Sequence, residues 1–170
     1  TYFNLAGHDS GSMEDHLLTL YASSYTPVVK GAIPTGEIAS VKGTPMDFTV
    51  EKRIGKEINE DFEQLKLTGG YDHNWVIDGW DKTLRHFATV KDVKSGRVME
   101  CYTTLPGVQF YAGNFIGEDT GKGGAAYASR HGLCLETQYY PDCIHHENFP
   151  QCIFGGDGND YDSTTVYRFL

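Results

Sequence analysis

Apolar and polar positions alternate at period two along most of this chain. Leu133, Leu135 and Thr137 interleave with Cys134, Glu136 and Gln138, the pattern of a strand with two unlike faces. The same reading predicts strands at 16–22, 45–50, 74–77, 85–93, 97–105, 108–112, 132–138 and 164–169. Turn residues separate them: Gly31 with Pro34, Gly69-Gly70, Gly79, Ser95-Gly96, Pro106-Gly107, and the glycine-rich runs 117–124 and 155–158. Lys94-Ser95-Gly96 joins two alternating runs and is the best hairpin candidate. Thr1-Tyr2-Phe3-Asn4-Leu5 reads as the middle of a strand. One short helix is expected over 56–66, where Ile58, Phe62 and Leu65 recur at helical spacing opposite acidic residues. No repeat or linker interrupts the pattern. The fold class is mostly β, an antiparallel sandwich in one domain over 1–170.

Composition narrows the function classes. The 170 residues are 39% hydrophobic, and no apolar run approaches the roughly 20 residues that a bilayer helix needs. The 23 acidic and 14 basic residues give a net charge of −9 without a Lys/Arg stripe, so nucleic acid is not an expected partner, and neither is a membrane. Twenty glycines and eleven tyrosines suit short strands and tight turns. Four cysteines in a chain of this length do not make a disulfide scaffold, and Cys101 and Cys134 lie in apolar runs as buried thiols. A reducing, cytoplasmic compartment is the corresponding expectation.

Three segments carry candidate chemistry. If Leu133 and Leu135 face a core, Glu136 and Gln138 share the opposite face. A carboxylate beside an amide on a rigid strand suits a polyhydroxylated ligand, although from this segment alone an outward Glu on a solvated sheet is the simpler explanation. In Gly69-Gly70-Tyr71-Asp72-His73-Asn74-Trp75, polar side chains stand beside an indole. Such groups can bind sugar hydroxyls while a ring covers an apolar sugar face; alternatively, Asp72 caps a turn and His73 bonds to a carbonyl. Gln109, in Leu105-Pro106-Gly107-Val108-Gln109-Phe110-Tyr111, is an amide among apolar neighbours and needs a partner, which backbone can supply. Cys143, His145, His146 and Cys152 do not match the paired spacing of a zinc site. Gly121-Lys122-Gly123-Gly124 lacks the Lys-Ser/Thr ending and following helix of a phosphate loop, and reads as a hairpin tip.

Six segments in order along the chain closely resemble the aldose 1-epimerase (galactose mutarotase) family. They are Thr1-Tyr2-Phe3-Asn4-Leu5-Ala6-Gly7, Ile33-Pro34-Thr35-Gly36-Glu37, Gly70-Tyr71-Asp72-His73-Asn74, Leu105 to Tyr111, Gly132 to Gln138 with Pro141-Asp142, and Tyr161-Asp162-Ser163-Thr164-Thr165. The resemblance implies a large antiparallel β-sandwich of the galactose mutarotase type. It also implies interconversion of the α and β anomers of free aldoses such as galactose and glucose. Glu136 then matches the family's base, Asp72 its sugar-binding aspartate and Gln109 a pocket glutamine. Neither metal nor nucleotide is required, and the expected partner is a monosaccharide.

The family's acid histidine immediately precedes Thr-Tyr-Phe-Asn-Leu, and this sequence begins at that threonine. A second pocket histidine and a sugar-binding arginine belong to the family's N-terminal half. By this resemblance, 1–170 reads as the C-terminal portion, nearly inactive alone, with the missing half of the polypeptide as a partner. His8 and His73 do not occupy the acid's place, and His16 falls in a structural strand. The alternative is a non-catalytic carbohydrate-binding sandwich in which Asp72, Gln109 and Trp75 hold a ligand.

Overall fold

The computed structural model describes residues 1–156 and 159–170. Its strands, in chain order, are β1 (Leu17–Leu20), β2 (Ser24–Thr26), β3 (Val28–Val29), β4 (Ile33–Pro34), β5 (Ala39–Ser40), β6 (Lys52–Arg53) and β7 (Asp72–Val76). They continue with β8 (Arg85–Lys91), β9 (Val98–Thr103), β10 (Gly107–Tyr111), β11 (Asp119–Thr120), β12 (Ala126–Tyr127), β13 (Cys134–Gln138) and β14 (Thr165–Phe169). Two five-stranded antiparallel sheets result, in the orders β14-β9-β8-β1-β6 and β13-β10-β7-β2-β5. β11 pairs with β12 and β3 with β4 in separate two-stranded ribbons.

One large apolar cluster takes residues from both sheets. Leu18 and Leu20 come from β1, Phe87, Ala88 and Val90 from β8, and Met99 and Cys101 from β9; Trp75, Val108, Phe110 and Leu135 come from the second sheet. A register shift between His86 and Ala88 brings two consecutive residues, Phe87 and Ala88, into the interior. Phe48 and Tyr71 lie 5.0 Å apart by ring centroid, Tyr71 and Phe110 5.4 Å, and Trp75 and Phe110 5.8 Å. The two sheets also meet at neighbouring edges. The Tyr167 hydroxyl donates to the Leu135 carbonyl at 2.6 Å, and the Thr137 and Thr165 hydroxyls are 2.6 Å apart.

The entry into β7 is fixed by local geometry. Gly69 ends helix α1 (Glu63–Thr68) in the left-handed conformation, at φ 68°. Gly70 follows at φ 140°, and a Cβ there would stand 2.3 Å from Asn114 Oδ1. The close approach lets Asn114 Nδ2 donate to the carbonyls of Thr68 and Tyr71 on either side of the glycines, at 3.2 and 3.0 Å.

Several expectations are corrected. Residues 45–50 form no strand: Met46 and Phe48 are buried as the alternation demands, but Thr44 and Asp47 side chains accept the Met46 and Thr49 amides and turn the backbone. The helix is shorter than 56–66. Ile54–Lys56 is a 3₁₀ turn, Phe62 is extended, and α1 begins at Glu63, although Ile58 and Leu65 both reach the core. Thr1 to Leu5 contributes one antiparallel bridge, Phe3 to Leu133, rather than a strand. The hairpin at Lys94-Ser95-Gly96 joins β8 to β9, with Asp92 accepting the Ser95 amide at 2.9 Å. The turn expected over 155–158 falls partly outside the described residues.

Cys101 and Cys134 are buried thiols, whereas Cys143 and Cys152 form a disulfide. The bridge departs from the expectation of reduced cysteines throughout. No helix among the described residues is long and apolar enough to cross a membrane.

Candidate active site

The site is a consequence of strand register. In the second sheet, Gln109 lies opposite Glu136 on one side and Asn74 on the other. Tyr111 lies opposite Cys134 and Asp72, and Gly107 opposite Gln138 and Val76. Residues directly opposite share a face. One face therefore carries three rows: Asp72–Tyr111–Cys134, Asn74–Gln109–Glu136 and Val76–Gly107–Gln138. The intervening residues His73, Trp75, Val108, Phe110 and Leu135 are buried on the core side. Asp72, Gln109 and Glu136 thus share one face. Standard strand spacing and rise put the Cα atoms of Asp72 and Glu136 about 12 Å apart, diagonally across β10.

Side-chain bonds tie this face together. Gln109 Nε2 donates to Asp72 Oδ1 at 2.8 Å, and Gln138 Nε2 donates to Gln109 Oε1 at 3.0 Å and to Asn74 Oδ1 at 3.1 Å. The partners of Gln109 are therefore side chains, not backbone. Burial raises the Asp72 carboxyl above its ordinary value, and the Gln109 amide opposes that rise. Glu136 is exposed on the outer edge strand. Burial, and then the Glu136 carboxylate, push the neighbouring Cys134 thiol to about 12, so it stays protonated at neutral pH.

Aromatic side chains bound the polar rows at both ends. At one end Tyr2 packs edge-on against Tyr111, with centroids 6.2 Å apart, while the Tyr111 hydroxyl accepts the Phe115 amide at 2.9 Å. A cavity of about 800 Å³ is lined by Tyr2, His8, Phe115, Tyr127, Gly132 and Phe169 among others; Asp72, Gln109 and Glu136 are not in its wall. At the other end, the segment after Pro141 folds back over the sheet. Tyr140, Cys143 and Phe149 form a second buried cluster with Val76, Tyr139 and Cys152 packed against it. A Cβ at Gly107 would meet Asn74 Oδ1 at 2.4 Å and the Tyr140 ring at 3.0 Å, so only glycine leaves room for both.

Two sequence expectations fail here. Trp75 is fully buried on the core side, where its indole N–H donates to the Met46 carbonyl at 3.0 Å, so it is no sugar platform. His73 is buried beside it and pushed by burial down to about 4, so it remains neutral. Parity explains both, because they sit at odd steps from Asp72. His16 is buried too, accepting the Leu5 amide at 2.9 Å. The Cys143 and Cys152 sulfurs bond each other, and His145 Nδ1 bonds Asp142. Among the described residues no three His, Cys, Asp or Glu side chains converge on a metal position. Sequence reasoning missed Tyr2, Tyr111 and Tyr140. The first two could have been found from the alternation that located Glu136, whereas Tyr140 required the fold-back of its loop.

Fold and site together define an antiparallel β-sandwich whose polar chemistry lies on the outer face of one sheet. The chain belongs to the aldose 1-epimerase family, whose family model matches residues 1–168. It is 45% identical over 170 residues to the galactose mutarotase of Bos taurus and 44% identical over 171 residues to that of Homo sapiens; each match covers 99% of this chain and 48% of the relative. The aldose 1-epimerase of Escherichia coli is 37% identical over 170 residues, covering 99% and 49%. The crystal structure of an aldose epimerase homologue from C. elegans superposes with a TM-score of 0.79 at 27% identity, covering 99% of this chain and 49% of that one. The galactose 1-epimerase of Lactobacillus acidophilus gives 0.71 at 26% identity, covering 99% and 46%. The chain spans about half the length of the curated relatives it matches.

Proposed function

We propose that this chain supplies the base and part of the sugar-binding surface of an aldose 1-epimerase acting on free aldoses such as galactose or glucose. Glu136 takes the proton from the anomeric hydroxyl while an acid protonates the ring oxygen. The C1–O5 bond breaks as the C1 carbonyl forms, the C1–C2 bond rotates, and the reverse steps close the ring on the other face. Asp72, held by Gln109, accepts from a sugar hydroxyl. Proton transfer between positioned groups suffices for this chemistry, each group typically contributing about 10²–10⁴-fold.

The observation that carries this reading is the placement of Asp72, Gln109 and Glu136 on one face, with Gln109 bonded to Asp72 at 2.8 Å. The N-terminal segment supports the position of the acid. Phe3 pairs antiparallel with Leu133, and its amide donates to the Leu133 carbonyl at 2.7 Å. Continued backwards at that register, the ladder would set a residue preceding Thr1 opposite Glu136 and on its face. The family resemblance expects a histidine there.

The test is polarimetry on freshly dissolved α-galactose with the protein at its natural full length. Glu136→Gln at unchanged fold should lower kcat by at least about 100-fold with little change in KM. Undiminished mutarotation would remove Glu136 as the base. Sugar binding without any mutarotation in the unaltered protein would instead support a non-catalytic binding module.

A further inference from the structure

We propose that Gln138 is a positioning residue for the sugar site: it fixes the direction of the Gln109 amide and thereby keeps Asp72 an acceptor toward the sugar. This inference rests on the sugar-site reading above.

A glutamine amide can face a neighbour with either its oxygen or its nitrogen, and the two choices have opposite chemical meaning. Gln109 lies between Asp72 and Gln138. Gln138 presents its NH₂ group to two oxygens at once, Asn74 Oδ1 at 3.1 Å and Gln109 Oε1 at 3.0 Å. With its oxygen engaged, Gln109 has only its nitrogen to offer Asp72, and it donates at 2.8 Å. Turned the other way, Gln109 would set an oxygen against the carboxylate, an arrangement that holds only if Asp72 takes up a proton. Asp72 would then lose its charge and donate where it now accepts. The anchor at the far end is confined: Asn74 is buried, and its Oδ1 and the Tyr140 ring both crowd Gly107, although its Nδ2 has no partner.

The titratable groups facing Asp72 are Tyr111 on β10, Cys134 and Glu136 on β13, and Tyr2 on the N-terminal segment. His73, its neighbour on β7, turns into the core. None of these bonds to Gln138, so a change at 138 reaches Asp72 through Gln109.

The experiment compares Gln138→Met and Gln138→Glu with the unaltered full-length protein in mutarotation of α-galactose across pH, with Asp72→Asn as reference. In Gln138→Met, KM should rise about tenfold, the scale of one hydrogen bond to a charged group, with kcat within about threefold. The acid limb of kcat/KM should move to higher pH. Gln138→Glu, which only accepts when ionised, should turn the Gln109 amide around and raise KM further. A general loss of packing would not move the acid limb. KM and acid limb both within twofold of the unaltered protein in the two variants, while Asp72→Asn raises KM, would overturn the positioning role alone. No effect of Asp72→Asn on KM would overturn the sugar-site reading and this inference with it. A second measurement needs no variant. The Gln109 side-chain amide signals should shift as Asp72 titrates; signals that do not respond would refute the relay.

Discussion

Breaking the Cys143–Cys152 bridge should loosen one wall of the polar face that carries Asp72, Gln109 and Glu136. The bridged residues are nine apart, so the bond closes a loop of about ten residues, and the chain-entropy relation gives about 2.7 kcal/mol at 25 °C. The loop has its own small cluster of Tyr140, Cys143 and Phe149, separate from the main core, so local opening is the natural response. A change of 2.7 kcal/mol corresponds to about 100-fold in the opening equilibrium. Hydrogen exchange reads this directly at the amides of Cys143, His145, His146 and Phe149. These donate within the loop to the carbonyls of Tyr140, Asp142, Cys143 and His146.

Reduction should speed exchange at those amides about 100-fold. Amides of β10 and β13, which exchange through wider unfolding, should gain no more than that factor. A protein with both cysteines changed to serine should match the reduced form and ignore added reductant. Exchange in the loop altered by less than about threefold would show that packing of Tyr140 and Phe149, 5.2 Å apart by centroid, holds the loop without help from the bridge.

Asp72→Asn should separate stability from function. Burial raises the Asp72 carboxyl, so the folded chain holds that proton more tightly than the unfolded chain, and stability falls as pH climbs from the ordinary carboxylate value through the raised one. The variant should flatten that stretch of the profile and raise the urea midpoint at pH 7 while weakening sugar binding; a lower midpoint refutes the sign. His73 gives the opposite slope. Held neutral with a value of about 4 against an ordinary 6.5, it contributes about 3 kcal/mol at neutral pH that is lost as pH falls through that interval. His73→Phe should remove the slope, as followed by urea unfolding between pH 7 and 4. Trp75→Ala should cost about 3–5 kcal/mol as a core truncation, whereas Trp75→Phe should leave sugar affinity within twofold. A selective loss of affinity in Trp75→Phe at unchanged stability would return the indole to the ligand.

The sheets were legible where alternation was long and unmixed. Residues 132–138 and 108–112 announced both the strands and the face each side chain takes, because period two leaves no helical alternative over that length. β2 and β5 were not legible, since three and two residues are too few to show a period. At 45–50 the apolar pattern was genuine and Met46 and Phe48 are buried, yet side-chain bonds from Thr44 and Asp47 to local amides decided the backbone. The helix failed similarly: spacing located the buried Ile58 and Leu65 without revealing that Phe62 is extended. Asp72, Gln109 and Glu136 stood out in their own segments, the resemblance supplied their roles, and strand register puts them on one face. The Cys143–Cys152 bridge and the Tyr140 wall depend on a chain reversal that no local pattern encodes.

What makes the site depend on the core is the parity of β7. Moving that strand by one residue would carry His73 and Trp75 to the outer face and bury Asp72 and Asn74 between the sheets. The exchange would expose a fully buried indole and place a carboxylate in an apolar interior, and both changes are costly. Trp75 therefore acts on the polar face without lying on it, by holding the register that aims Asp72 outward. The Gly69-Gly70 turn and its Asn114 clasp pin the same register from the start of the strand, independently of the core. Two unrelated restraints on one strand explain why a face built from polar side chains can hold a fixed geometry. The precision of Asp72 relative to Gln109 is inherited from residues on the opposite side of the sheet.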